Sequence, residues 1–135
     1  MLLSKDPNLT KAAINPSTAK RGKLIECDLA RTLTLTLSCL YNASGTSSAR
    51  VSLYYSPDGI HFDTREYAYF ENTITAGARV QGTSLVDPPE SGYLVPVVTN
   101  QDATYTITHV KLWAAISKYW EDLHATMSQY NSTRR

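Results

Sequence analysis

From Arg31 to Tyr41 the chain reads RTLTLTLSCLY, with Leu33, Leu35, Leu37, Cys39 and Tyr41 at alternate positions and mostly Thr and Ser between them. Strict period-two alternation predicts a strand with one buried face and one wet face. The theme continues downstream. Lys23 to Leu29 is a candidate first strand, and Arg50–Tyr55 places Val51, Leu53 and Tyr55 on one face. Ile60 to Thr64, Glu66–Phe70, Arg79–Val86, Tyr93–Thr99 and Tyr105–Ser117 follow, separated by hard breaks. Ser56-Pro57-Asp58-Gly59 is a turn with a mechanism, since Pro presets φ, Asp bonds locally and Gly closes. Thr75-Ala76-Gly77, Asp87 to Gly92 and Asn100-Gln101-Asp102 are further turns, and Asn42–Ala49 is a polar loop. Roughly seven or eight short strands at about ten-residue spacing predict an all-β antiparallel sandwich or jelly roll.

Two strands carry irregularities. Pro96 lies inside Tyr93–Thr99 and cannot donate to a ladder, which predicts an edge position or a bulge there. In Tyr105–Ser117 the apolar parity changes between Ile107 and Val110, which predicts a β-bulge at Thr108–His109.

The two ends differ from this core, giving an arm over 1–22, a sandwich over 23–118 and a helical extension over 119–135. Residues 1–22 hold Pro7, Pro16, Lys5, Lys11, Lys20 and Arg21 and show no sustained period. The segment reads either as a disordered terminus or as an extended arm docking Leu2, Leu3, Leu9 and Ile14 on a neighbour. On the second reading its deletion leaves the isolated sandwich folded and weakens assembly. Toward the other end, Trp120, Leu123, Met127 and Tyr130 are spaced three, four and three apart, one face of a helix. So short a helix needs support from the sandwich or from a neighbour. Trp120, Leu123 and Met127 therefore join the arm residues as candidate partner contacts, with packing on the chain's own core as the alternative.

Composition narrows the functional classes. In 135 residues the net charge is +1, which does not suggest a broad nucleic-acid surface. No apolar run is long enough to cross a membrane as a helix, and no secretory signal is apparent, so synthesis in a cytoplasm is expected. Nine tyrosines against two phenylalanines suit strands and contact surfaces, because Tyr is apolar along its body and polar at its tip. Cys27 and Cys39 are too few for a disulfide framework or a zinc site, and Cys39 falls on the inward face.

Catalytic signals are weak. His61, His109 and His124 occupy separate segments, no nucleophile-elbow motif occurs, and the Asp-Gly of SPDGIHFD lacks the calcium-loop rhythm. Asp63, Glu66 and Asp87 offer carboxylates, as any sandwich does. No catalytic, cofactor or metal residues are assigned. A carbohydrate-binding module is the rival reading, with Tyr54, Tyr69 and Trp113 as outward rings able to stack on sugars.

The stretches LYYSPDGIHFDT (Leu53–Thr64), ITAGARVQ (Ile74–Gln81), VDPPESGYL (Val86–Leu94) and VTNQDATYTITHVKLWAAI (Val98–Ile116) carry a resemblance. Across about residues 30–117 the chain resembles small β-sandwich proteins encoded in bacteriophage structural-gene clusters. Each motif is turn chemistry shared with other sandwiches. The resemblance implies a virion component of the head-decoration, tail or neck accessory kind. It further implies contacts with a major capsid or tail protein, a homo-oligomer, and no catalytic residues.

Overall fold

The computed structural model describes residues 2, 3 and 6–119. They form ten strands: β1 (Leu2–Leu3), β2 (Leu9–Ile14), β3 (Ala19–Arg21), β4 (Ile25–Glu26), β5 (Ala30–Leu40), β6 (Ala49–Ser56), β7 (Ala68–Glu71), β8 (Arg79–Val86), β9 (Tyr93–Asn100) and β10 (Ile107–Lys118). One sheet runs β1-β10-β5-β8 with β2 also on β10, and the other runs β3-β9-β6-β7 with β4 also on β9. Every pairing is antiparallel. The pairs β2·β10, β3·β9, β5·β8 and β6·β7 nest like one long hairpin, and the contacts β10·β5 and β9·β6 roll that hairpin into two layers. This is the strand order of a jelly roll, with two of its eight positions split into short pieces.

The alternation in β5 decides where the core lies. Leu33, Leu35, Leu37 and Cys39 are fully buried and share one cluster with Val51 and Leu53 of β6, Leu94 and Val98 of β9, and Val110 and Leu112 of β10. Thr34 and Thr36, between them, face outward and are half-buried. The sandwich is thus filled by the inner faces of four central strands, two from each sheet.

The N-terminal segment departs from the expected arm. β2 lies along the first half of β10, pairing Leu9 with Leu112 and Ile14 with Ile107, and β1 pairs Leu2 and Leu3 with Ile116 and Ala115. The chain then crosses to the other sheet, where β3 pairs Ala19–Arg21 with Val97–Thr99. Leu9 and Ile14 are 7% and 0% exposed, inside the molecule's own core. They are five positions apart, an odd interval, so both face inward only because the strand's phase slips between them. That slip erases the period a sequence reading depends on.

Asn8 ties the two split edges together. Its Oδ1 accepts from the Lys23 N–H at 3.0 Å, and its Nδ2 donates to the Lys23 carbonyl at 3.1 Å. A Cβ at Gly22 would overlap the Asn8 side chain and sit 2.9 Å from the Pro96 ring, so glycine is required by close approach.

Three expectations within the core are refined. The candidate strand Lys23–Leu29 is reduced to Ile25–Glu26, and Ile60–Thr64 is a loop of bends rather than strand. β9 is interior, not at an edge. Its Pro96 is accommodated because the strand alongside is broken into β3 and β4, and the missing N–H faces that break. The Gly22 N–H donating to the Pro96 carbonyl at 2.8 Å shows which way the residue points. The bulge lies where the parity change put it, with β10 slipping register against β5 between Thr108 and Lys111. His109 adopts φ 51°, the left-handed conformation that takes up the extra residue.

Candidate functional site

Trp120, Leu123 and Met127 lie outside the described residues, as does all but Tyr119 of the helical extension expected over 119–135. Of the other candidate contacts, Leu9 and Ile14 are internal core residues. Leu2 and Leu3 form the short strand on β10, beside Ile116 and Ala115 and close to the end of β10 at Lys118.

Two clefts flank that end of the molecule. One, of about 350 Å³, opens between the sheets and is lined by apolar Leu24, Ile25 and Ile116 together with charged Lys23, Glu26 and Lys118. The other, of about 740 Å³, lies between Leu29–Arg31, the Asp87–Ser91 break and Tyr119. Leu29 holds φ 58° and is 57% exposed, an unusual state for a branched apolar residue. Its carbonyl accepts the Tyr119 N–H at 2.9 Å. Tyr119 itself is 60% exposed. Leu29 and Tyr119 thus place two exposed apolar side chains beside the charged Arg31, Asp87 and Glu90 of that cleft.

The candidate sugar platform does not come together. Tyr54 and Tyr69 share the outer face of the β6 sheet, since Tyr69 pairs with Ser52 and Tyr54 is two residues along the same strand. Trp113 pairs with Thr36 and points outward from the opposite sheet. Tyr69 instead stacks with Arg50, whose guanidinium carbon sits 3.6 Å from the ring centroid. Arg50 Nη2 donates to both Glu66 oxygens, at 2.8 and 2.9 Å, and Nη1 donates to Glu71 at 3.1 Å. Hydrogen bonding to Arg50 holds the Glu66 carboxyl below its usual range. Phe62 is covered by Arg21, 4.6 Å from its centroid. These contacts fasten the Pro57–Tyr67 loop and β7 onto the sheet.

The best-organised polar group is the turn after β9. Asp102 Oδ2 accepts from the Thr46 and Ser47 N–H groups at 2.9 and 3.3 Å, and Oδ1 accepts from Thr104 and Tyr105 at 2.9 and 3.0 Å. These backbone donors, Thr46 first, hold its carboxyl well below the usual carboxylate range. Asn100, fully buried, donates to the Ile14 and Tyr105 carbonyls and accepts from the Asp102 N–H. The pair anchors the 42–48 loop, the β2–β3 turn and the 100–105 turn at one end of the roll.

Asp58 works the same way in the S-P-D-G turn. Its Oδ1 accepts from the Ile60 and His61 N–H groups, both at 2.8 Å, and its Oδ2 lies 2.7 Å from His61 Nδ1. Those bonds, led by the His61 amide, push its carboxyl down. Asp63 and Asp87 are exposed, His109 sits at the bulge, and His124 lies outside the described residues. Cys27 and Cys39 are free and buried, and burial pushes the Cys27 thiol up to about 11. Among the described residues no three His, Cys, Asp or Glu side chains gather as a metal site. No helix of the described residues is long and apolar enough to cross a membrane.

The sequence reading placed Asn100 and Asp102 only as turn residues and singled out neither Arg50 nor Asn72, whose Nδ2 donates to the Leu37 carbonyl at 3.1 Å. Strand parity puts Arg50 on the wet face, but its partners lie in other segments and leave no local signal. Comparison with protein-family models gives no match, and no curated protein is significantly similar to the chain.

Proposed function

We propose that the protein is a non-enzymatic structural component of a bacteriophage particle, a capsid-decoration or tail or neck accessory protein. It acts by surface contacts with a major capsid or tail protein and with its own copies. The observation that carries this reading is how the polar side chains are used. Asp102, Asp58, Asn100 and Arg50 hold loops and strands in place rather than converging on a cleft. Jelly rolls serve in viral capsid and lectin domains, and this analogy of fold adds to the resemblance in sequence.

The test pairs two measurements. Purified protein is mixed with particles of the phage whose genome encodes it, prepared without it, and co-sedimentation is followed; a glycan panel is titrated in parallel. Saturable binding to particles without glycan binding is expected. Millimolar or tighter glycan binding, abolished by Tyr54→Ala or Tyr69→Ala, replaces this reading with the carbohydrate-binding one.

A further inference from the structure

Natural sheets protect their edges, because a row of unpaired N–H and C=O groups invites another strand. Among the described residues, most edge strands here follow that rule. β1, β3, β4 and β7 are two to four residues long, β2 carries Lys11 in its middle, and β3 carries Lys20 and Arg21. β8 does not. It is eight residues long, has neither proline nor lysine, carries its one charge, Arg79, at its first position, and pairs with β5 from Arg79 to Val86 without a register shift. Nothing among the described residues pairs with its other side.

The ladder also shows which groups are open. The Ala78 carbonyl accepts the Tyr41 N–H at 3.1 Å, so even-numbered residues of β8 turn their backbone toward β5. Arg79, Gln81, Thr83 and Leu85 therefore turn their N–H and C=O groups to the free edge, and their side chains are exposed. Leu85 is 77% exposed. Behind this edge, the rows Leu85–Thr34–Ala115 and Thr83–Thr36–Trp113 run across the sheet without a charge.

We propose that β8 is a homotypic interface, joining two copies edge to edge into one continuous antiparallel sheet about a two-fold axis at Thr83. In an antiparallel pair, directly opposed residues share a face, and open backbone groups must meet open ones. Centring on Thr83 satisfies both conditions. Thr83 faces Thr83 of the other copy, Gln81 faces Leu85, and Arg79 falls beside Asp87. Each copy then meets the other with opposite charges at both ends of the seam, so the surface is complementary to itself. The Tyr67 hydroxyl donates to the Asp87 carbonyl at 2.6 Å and Arg79 Nη1 donates to Ser38 Oγ at 3.3 Å, so both ends of the seam are held in place within each copy. The inference rests on the sheet edge alone and does not depend on the virion reading.

Sedimentation velocity of the full chain, over a concentration series, tests it with two kinds of variant. Thr83→Pro removes an N–H that β5 does not use, and Leu85→Lys puts a charge into the uncharged stretch of β8 beyond Arg79; circular dichroism checks that each remains folded. Wild type is expected to dimerise and both variants to be monomers. Arg79→Asp and Asp87→Arg are each expected to weaken the dimer about tenfold or more, and the double charge swap to restore it. In the dimer the Gln81, Thr83 and Leu85 amides are expected to gain protection from hydrogen exchange with rising concentration. Wild type that stays monomeric at its highest soluble concentration overturns the proposal. So does a dimer that both edge variants leave intact, or one that the charge swap fails to restore.

Discussion

Leu35 and Asp102 stabilise the molecule by opposite kinds of chemistry, and each makes a measurable prediction. Leu35 is fully buried between the sheets and flanked by Leu33 and Leu37. Leu35→Ala is expected to cost about 2–5 kcal/mol from lost transfer energy and the cavity left behind, read from the denaturant midpoint. A mutant that unfolds like wild type would show that this face is not the core. The Asp102 carboxylate is buried and accepts four backbone N–H groups. Because its folded pKa lies below the unfolded value of about 3.9, the folded state binds fewer protons in that window. Its contribution is present in full above about pH 4 to 5 and disappears as pH falls through the folded pKa. Asp102→Asn is therefore expected to be less stable than wild type at pH 7 and to converge with it in acid, followed by urea midpoints across pH 2–7. A gap that stays constant across that range would remove the carboxylate's charge from the account.

At the scale of elements, the core strands were legible because each buries one face against a layer that extends along its whole length. Arg79–Val86 has the same limits in sequence and in space, and the parity change in β10 located its bulge. β2 was not legible. Its two buried residues lie at its ends with four exposed residues between them, so it alternates nowhere. This changes what truncation should do. The arm reading expects a sandwich that survives removal of 1–22. The structure loses β2 and β3, Leu9 and Ile14 from the core, and the Asn8–Lys23 clip. Deleting residues 1–22 is therefore expected to destabilise the fold itself, seen as a lower melting temperature and lost amide protection along β10. A truncated chain that melts like the full one would restore the independent arm.

At the scale of the whole molecule, the site was far less legible than the fold. Turn chemistry announces itself over four residues, as Ser56 to Gly59 shows, and Asp58 does bond its own turn. Asp102 was visible as a turn residue, but its bonds to Thr46 and Ser47 join segments far apart in sequence, and only the rolled topology brings them together. The same holds for Arg50 with Glu66, and for Asn72, whose Nδ2 donates to the Leu37 carbonyl from the opposite sheet. The unguarded edge of β8 is also a property of the assembled sheet. Its sequence resembles that of any strand until the absence of a neighbour beyond it is seen.

The pairing of β2 with β10 has a consequence for how the chain is made. Ile14 emerges from the ribosome early, yet its partner Ile107 is among the later residues of the fold. At roughly 5–20 residues per second, the delay between them is several seconds. Late in that interval, once Val86 has been made, β5 and β8 can pair while the other edge of β5 stays open, awaiting β10. The nascent chain therefore carries an incomplete sheet on the polysome, where neighbouring chains are identical and close. Its yield in a cell should depend on translation speed and chaperone supply more than on the stability of the finished fold.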